Sequence, residues 1–114
     1  MSSFKDIYQK FINLAIATEQ LSELPALDPI EKRLLALLSH AWSKNKKITV
    51  VETMNITHEL STSTVFRYIK KLRNKGYLEL IVDEIDNRVK YVSPTKQCDK
   101  YFSKLGKLLV EAVG

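Results

Sequence analysis

Apolar residues at Phe4, Ile7, Phe11 and Leu14, continued through Thr18 and Leu21, recur at alternating intervals of three and four. That spacing lines one side of a helix, so residues 4–21 are predicted to form an amphipathic N-terminal helix with a narrow, heptad-like stripe, capped by Ser2 or Ser3. Pro25 breaks the pattern, and residues 22–27 read as a linker. Asp28-Pro29-Ile30-Glu31 then combines an N-cap, a proline at the first helical position and a reciprocal glutamate. Ile30, Leu34, Leu35, Leu38, Ala41 and Trp42 carry one apolar face of this central helix to about Ser43.

Asn45-Lys46-Lys47 is a polar connection, and a two- or three-residue strand is expected around Ile48. Thr49-Val50-Val51-Glu52 offers a second capping box, opening a short helix to about Thr57 with Val51, Met54 and Val50 turned inward. A turn at His58-Glu59-Leu60 leads to Ser61, the cap of a further helix that Gly76 closes, where a left-handed residue is wanted. Two short helices joined by a tight turn make a helix-turn-helix. After Gly76 the period changes from 3.6 to 2: Leu78, Leu80 and Val82 alternate with Glu79 and Ile81, residues 83–88 form a polar turn, and Val89 to Val92 return as a strand. Ser93-Pro94-Thr95 ends this hairpin. Cys98, Tyr101, Phe102, Leu105, Leu108, Leu109 and Ala112 then stripe a C-terminal helix over residues 96–112.

The element order predicts a mainly α, α+β chain: one winged helix-turn-helix domain over residues 1–114, with its body at 28–95 and a helix at either end. With 114 residues, 45% of them hydrophobic, it is long enough to bury a single core unaided. A lone cysteine, Cys98, excludes an internal disulfide and fits a reducing compartment. Its place on an apolar stripe marks a buried, inert thiol. No apolar run approaches the ~20 residues of a membrane span. The start MSSFKDIYQK lacks a signal-peptide pattern, so a cytoplasmic location is expected.

Charge narrows the reading further. Residues 61–76 (STSTVFRYIKKLRNKG) hold Arg67, Lys70, Lys71, Arg73 and Lys75 and no acid, so this segment contributes +5, as much as the net charge of the whole chain. The excess positive charge therefore sits on one helix, the footprint of an element that meets nucleic-acid phosphate. On a helical wheel Val65, Ile69 and Leu72 fall together, while Ser63, Arg67, Lys70 and Asn74 centre on the opposite side, flanked by Thr64 and Lys71. Such a face supplies donors for base edges, with Arg67 suited to a guanine and the lysines to phosphates. Ser61, Thr62 and the first helical amides are candidates for a phosphate clamp. Phe66 lies at the edge of this face, in a position to touch a thymine methyl, but the leading expectation is that it packs under the neighbouring helix.

The run STSTVFRYIKKLRNKGYLEL, the Asp86-Asn87-Arg88 element in the hairpin and the Ser93-Pro94-Thr95 step into the last helix resemble the MarR family of bacterial transcriptional regulators. The resemblance implies a homodimer intertwined through its terminal helices, binding double-stranded DNA, with Arg88 reaching an adjacent minor groove. On the bland alternative Arg88 and Asp86 form only a surface ion pair, since residues 83–90 carry a net charge of −1. The stripes Phe4, Ile7, Phe11, Leu14 and Tyr101, Phe102, Leu105, Leu109 exceed what a small winged-helix core needs, so they pack on each other, on the body or on a second copy.

No enzyme is indicated. His40 and His58 lie in separate elements, no second cysteine completes a zinc set, and no glycine-rich phosphate loop occurs. No cofactor, metal or membrane partner is expected, and the pattern names no small-molecule effector. The leading expectation is sequence-specific DNA binding that regulates transcription, repression before activation. Two alternatives stay open: a protein-interaction winged helix whose basic face takes an acidic partner, and a replication or partition factor of a mobile element.

Overall fold

The computed structural model describes residues 3–18, 23–44 and 47–113. Ser2, Leu21, Ser22 and Asn45-Lys46 lie outside the described residues, as do the side chains of Thr18 and Ala112. The chain divides into two compact units, Leu27–Cys98 on one hand and Met1–Ala26 with Asp99–Gly114 on the other.

The larger unit holds α2 (Pro29–Ser43), β1 (Ile48–Thr49), α3 (Val50–Met54), α4 (Thr62–Asn74), β2 (Leu78–Val82), β3 (Lys90–Pro94) and the first turn of α5 (Lys96–Val113). Each helix start is a local code. Asp28 accepts from the Glu31 amide while Glu31 accepts from the Asp28 amide, and Thr49 and Glu52 repeat the arrangement. Ser61 Oγ accepts from the Thr64 amide at 3.2 Å to open α4.

Leu34, Leu35 and Leu38 of α2 and Val65, Tyr68, Ile69 and Leu72 of α4 form the core with Ile48, Leu78 and Val92 of the sheet. Tyr68 was not among the inward residues expected from the wheel; at three residues beyond Val65 it widens the buried stripe. The hairpin is part of a three-stranded antiparallel sheet in the order β1-β3-β2, with Val92 opposite both Ile48 and Leu80. Trp42 is half-buried and donates its indole N–H to the Val92 carbonyl at 3.1 Å. β3 runs on through Ser93 and Pro94, which were expected to end it. Pro94 is tolerated because its registered partner is Leu78 of β2, while β1 pairs only with Tyr91 and Val92.

Two expectations for α3 are corrected. The helix ends at Met54, where the Asn55 N–H bonds back to the Glu52 carbonyl, instead of reaching Thr57. Val51 is 68% exposed, and Thr53 takes the buried place, its hydroxyl donating to the Thr49 carbonyl at 2.8 Å. A helix of five residues is phased by its cap, and the capping box turns Thr53 inward.

The end of α4 is fixed as locally as its start. The Tyr77 amide donates to Leu72 and the Gly76 amide to Arg73, a Schellman closure with Gly76 at φ 85. The carbonyls just beyond are taken by the next helix: Thr95 Oγ1 donates to Gly76 at 2.6 Å and Gln97 Nε2 to Lys75 at 2.7 Å.

In the smaller unit, α1 (Phe4–Thr18) starts at Ser3, whose hydroxyl accepts from the Asp6 amide. Phe4 is 92% exposed, and Ile7 and Phe11 are also exposed, while Leu14 is half-buried. On α5 Tyr101 is buried, Phe102, Leu105 and Leu108 are half-buried and Leu109 is exposed. Phe11, Leu14 and Ala15 face Leu105, Gly106 and Leu109 across an apolar hollow of about 300 Å³. Glu23 ties the edge of this unit to Lys104 at 2.8 Å and to Lys100 at 3.7 Å.

Replacing Gly76 by alanine tests the closure of α4. The new Cβ would meet the Gln97 amide at 3.2 Å in a left-handed backbone, so Gly76→Ala should lower unfolding free energy by about 1–2 kcal/mol, measured by urea titration.

Candidate nucleic-acid interface

The exposed face of α4 is the most concentrated chemistry on the larger unit. Ser63, Arg67, Lys70, Arg73 and Asn74 are all exposed on a helix whose opposite side is sealed in the core. Ser61 and Thr62 are exposed at its start, and Thr64 is half-buried beside them. The hydroxyls there are already organised: Ser61 Oγ donates to Thr64 Oγ1 at 2.8 Å and lies 3.2 Å from Ser63 Oγ. The arrangement puts hydroxyl, guanidinium, ammonium and amide groups on one exposed face that runs from the start of α4 to its last residue, Asn74.

The five cations of the basic segment are not equivalent. Among the described residues, no ion pair engages Arg67, Lys70 or Arg73, although the Arg67 guanidinium lies 5.5 Å from the Tyr68 ring centre. Lys75 is held at 2.6 Å by Glu31, a carboxylate with no solvent exposure. Lys71 is held at 3.4 Å by Asp28, and its ammonium lies 4.5 Å over the Tyr68 ring. Lys71 was expected on the phosphate-facing flank; the structure instead leans it onto the first turn of α2. Burial raises the Asp28 carboxyl, but the Glu31 amide and the Lys71 ammonium outweigh it and hold the group below its usual range.

Phe66 does not pack under a neighbouring helix as expected. It is 47% exposed and, with Val51, Leu80 and Val89, lines a cleft of about 540 Å³ between α4 and the hairpin, rimmed by Lys70, Arg73 and Arg88. The exposed Val51 and Phe66 thus line the same open cleft.

At the tip of the hairpin the carboxylates are occupied by local donors. Asp83 accepts from the amides of Ile85 and Asp86 and from the Tyr91 hydroxyl. The Asp86 amide bond lowers the Asp83 carboxyl most, followed by the Tyr91 hydroxyl. Asp86 in turn accepts from the Arg88 guanidinium at 3.0 and 3.2 Å and from the Arg88 amide, and the side-chain bond is the larger reason its carboxyl is lowered. Arg88 and Asp86 thus form a surface ion pair, with the Arg88 side chain 90% exposed.

The sequence reading missed Asp28 and Arg73. Arg73 belongs to the basic run and one turn of periodicity places it beside Lys70, so a wider arc on the wheel would have included it. Nothing local marks Asp28 as a partner of Lys71, since 43 residues separate them. Among the described residues no group of three or more His, Cys, Asp or Glu is placed to hold a metal ion, and no helix is long and apolar enough to cross a membrane.

No family model and no curated protein matches this chain. Solved structures do. A DNA complex of MepR from S. aureus superposes with a TM-score of 0.72 at 17% identity, covering 95% of this chain and 76% of that one. A MarR/EmrR family transcriptional regulator from Acinetobacter sp. ADP1 gives 0.60 at 20%, covering 95% and 73%. A cysteine-to-serine mutant of MarR from E. coli, complexed with operator DNA, gives 0.59 at 19%, covering 90% and 70%. The likeness shows the fold: five helices and a small antiparallel sheet in the winged helix-turn-helix arrangement those proteins have.

Because Asp83 and Asp86 are both depressed in the folded hairpin, their contribution to its order is complete above the unfolded carboxylate value of about 4. It should be lost as pH falls through the lower folded values. Protection of the Ile85, Asp86 and Arg88 amides relative to their intrinsic exchange rates, followed by NMR from about pH 6 to about pH 2.5, should fall before that of the α4 amides does. Simultaneous loss in both regions would contradict this.

Proposed function

We propose that this chain is a homodimeric, sequence-specific DNA-binding regulator of transcription, acting in the cytoplasm as a repressor by occupying its site. The observation that carries the reading is the exposed face of α4, where Ser63, Arg67, Lys70 and Asn74 stand together on the second helix of a helix-turn-helix. A helix of this kind enters the major groove by its N-terminal half, with base edges read by side chains and phosphates met by cations and amides. Two of the three solved structures named above are complexes with DNA, which supports the same use of α4 here. Ser61 and Thr62 meet a phosphate at the helix start, Arg67 reads a guanine, and Arg88, steered by Asp86, reaches the neighbouring minor groove. No catalytic role is assigned to any residue.

Dimerisation uses the apolar surface of the smaller unit. Phe4, Ile7 and Phe11 expose more large apolar surface than an isolated helix pair retains in water, and the hollow between Phe11 and Leu105 is open. A second copy covers that surface, and a two-fold axis then sets the two copies of α4 about 34–36 Å apart, in successive major grooves of an inverted repeat. Light scattering should report a dimer for the unmodified chain at micromolar concentration and a monomer for Leu105→Glu. A monomeric unmodified chain would remove the dimer from the reading.

Arg67 and Lys70 should fail in different ways. Arg67→Ala is expected to cost about 1–3 kcal/mol per half-site and to relax specificity at one base pair, as loss of a bidentate guanine contact does. Lys70→Ala should weaken cognate and scrambled duplexes alike and reduce the salt slope by about one unit per contact. Titrations of both duplexes at several salt concentrations measure the contrast. Equal losses on cognate and scrambled DNA for Arg67→Ala would leave α4 as an electrostatic surface only.

A further inference from the structure

We infer that Asp28 is a specificity-determining residue: it occupies Lys71 from within the protein and so keeps that cation from adding to sequence-independent DNA affinity. The inference rests on the DNA-binding reading of α4. Its ground is the division of the basic segment, in which Arg67, Lys70 and Arg73 have no ion pair among the described residues while Lys71 and Lys75 meet carboxylates at the start of α2.

The two carboxylates differ in kind. Glu31 is fully buried and 2.6 Å from Lys75, a fixed element of the core. Asp28 and Lys71 are 3.4 Å apart with side chains 36% and 43% exposed, so this pair lies where an arriving phosphate would compete with it. Counterion release makes the outcome calculable. A lysine adds to the salt dependence of binding only if its approach to phosphate frees condensed cations without charging another site. Should Lys71 turn to a phosphate, Asp28 is left as a bare carboxylate near the DNA and repels it. Should Lys71 stay, it contributes nothing. Either way the pair adds little to non-specific binding, and the base contacts of α4 carry a larger share of the total.

Asp28→Asn isolates this charge effect, since asparagine caps a helix as well as aspartate does and keeps the acceptor for the Glu31 amide. With the 114-residue chain and a scrambled duplex of about 30 base pairs, Asp28→Asn should steepen the slope of log affinity against log salt by about one unit per bound protomer. That corresponds to roughly five-fold tighter binding per protomer near 0.15 M salt. The cognate-to-scrambled ratio should fall. Lys71→Met should change the slope by much less than one unit in the native background and by about one unit in the Asp28→Asn background.

A native chain that binds duplex DNA but shows the same slope and ratio with Asp28→Asn overturns the inference alone. So does a full unit lost by Lys71→Met in the native background. A native chain that binds no duplex at about 50 mM salt overturns the DNA reading and this inference together. Thermal melts of each variant keep loss of fold separate from loss of charge.

Discussion

The contact between Glu31 and Lys75 is the constraint on which the placement of the basic helix depends. A carboxylate without solvent exposure costs several kcal/mol in desolvation, and it is retained only where fixed charges and donors answer it. Here the Lys75 ammonium, the Asp28 amide and the positive end of α2 all converge on it. Glu31 Oε2 finds no partner among the described residues, so the burden falls on Oε1 and on Lys75. Lys75 is the C-cap of α4, and its position decides where the last turn of that helix sits against the first turn of α2. An apolar pair could fill the same volume, but it would slide. A short ion pair with a buried carboxylate tolerates little displacement.

Net charge and usable charge are different quantities in this protein. The segment carrying +5 delivers a smaller outward charge, because the start of α2 turns two carboxylates toward it. The hairpin differs: two amides and a tyrosine order the Asp83 oxygens and Arg88 pairs with Asp86, but the neutral donors leave the net charge of −1 over residues 83–90 in place. Counting the residues of one segment therefore overstates the attraction of the helix, and the error has one source: what matters is which charges are close in space.

That source also separates what was legible in the sequence from what was not. The starts of α2, α3 and α4 are coded within four residues each, and the Gly76 closure within a single turn, so reading along the chain finds them. The alternation of β2 shows for the same reason as far as Leu80, beyond which Val82 is nearly as exposed as Ile81. Pairings across 43 and 44 residues leave no local trace, and neither Asp28 nor Glu31 could be matched to its lysine without the packing of α2 on α4. Val51 and Phe66 fail for another reason. A short helix has too little periodicity to fix its phase, and a residue at the boundary of a face is decided by the shape of the neighbour across a gap.

The bonds from Thr95 and Gln97 to the last carbonyls of the basic helix have a mechanical meaning. The residues that open α5 are bolted to the heel of the element that carries Arg67 and Lys70, so the first turn of one helix and the last turn of the other move as one joint. A torque that reaches Lys96 and Gln97 is therefore delivered at Lys75 and Gly76, next to the buried Glu31 contact. In that joint Gly76 is the elbow, and the basic helix is the forearm fixed to it.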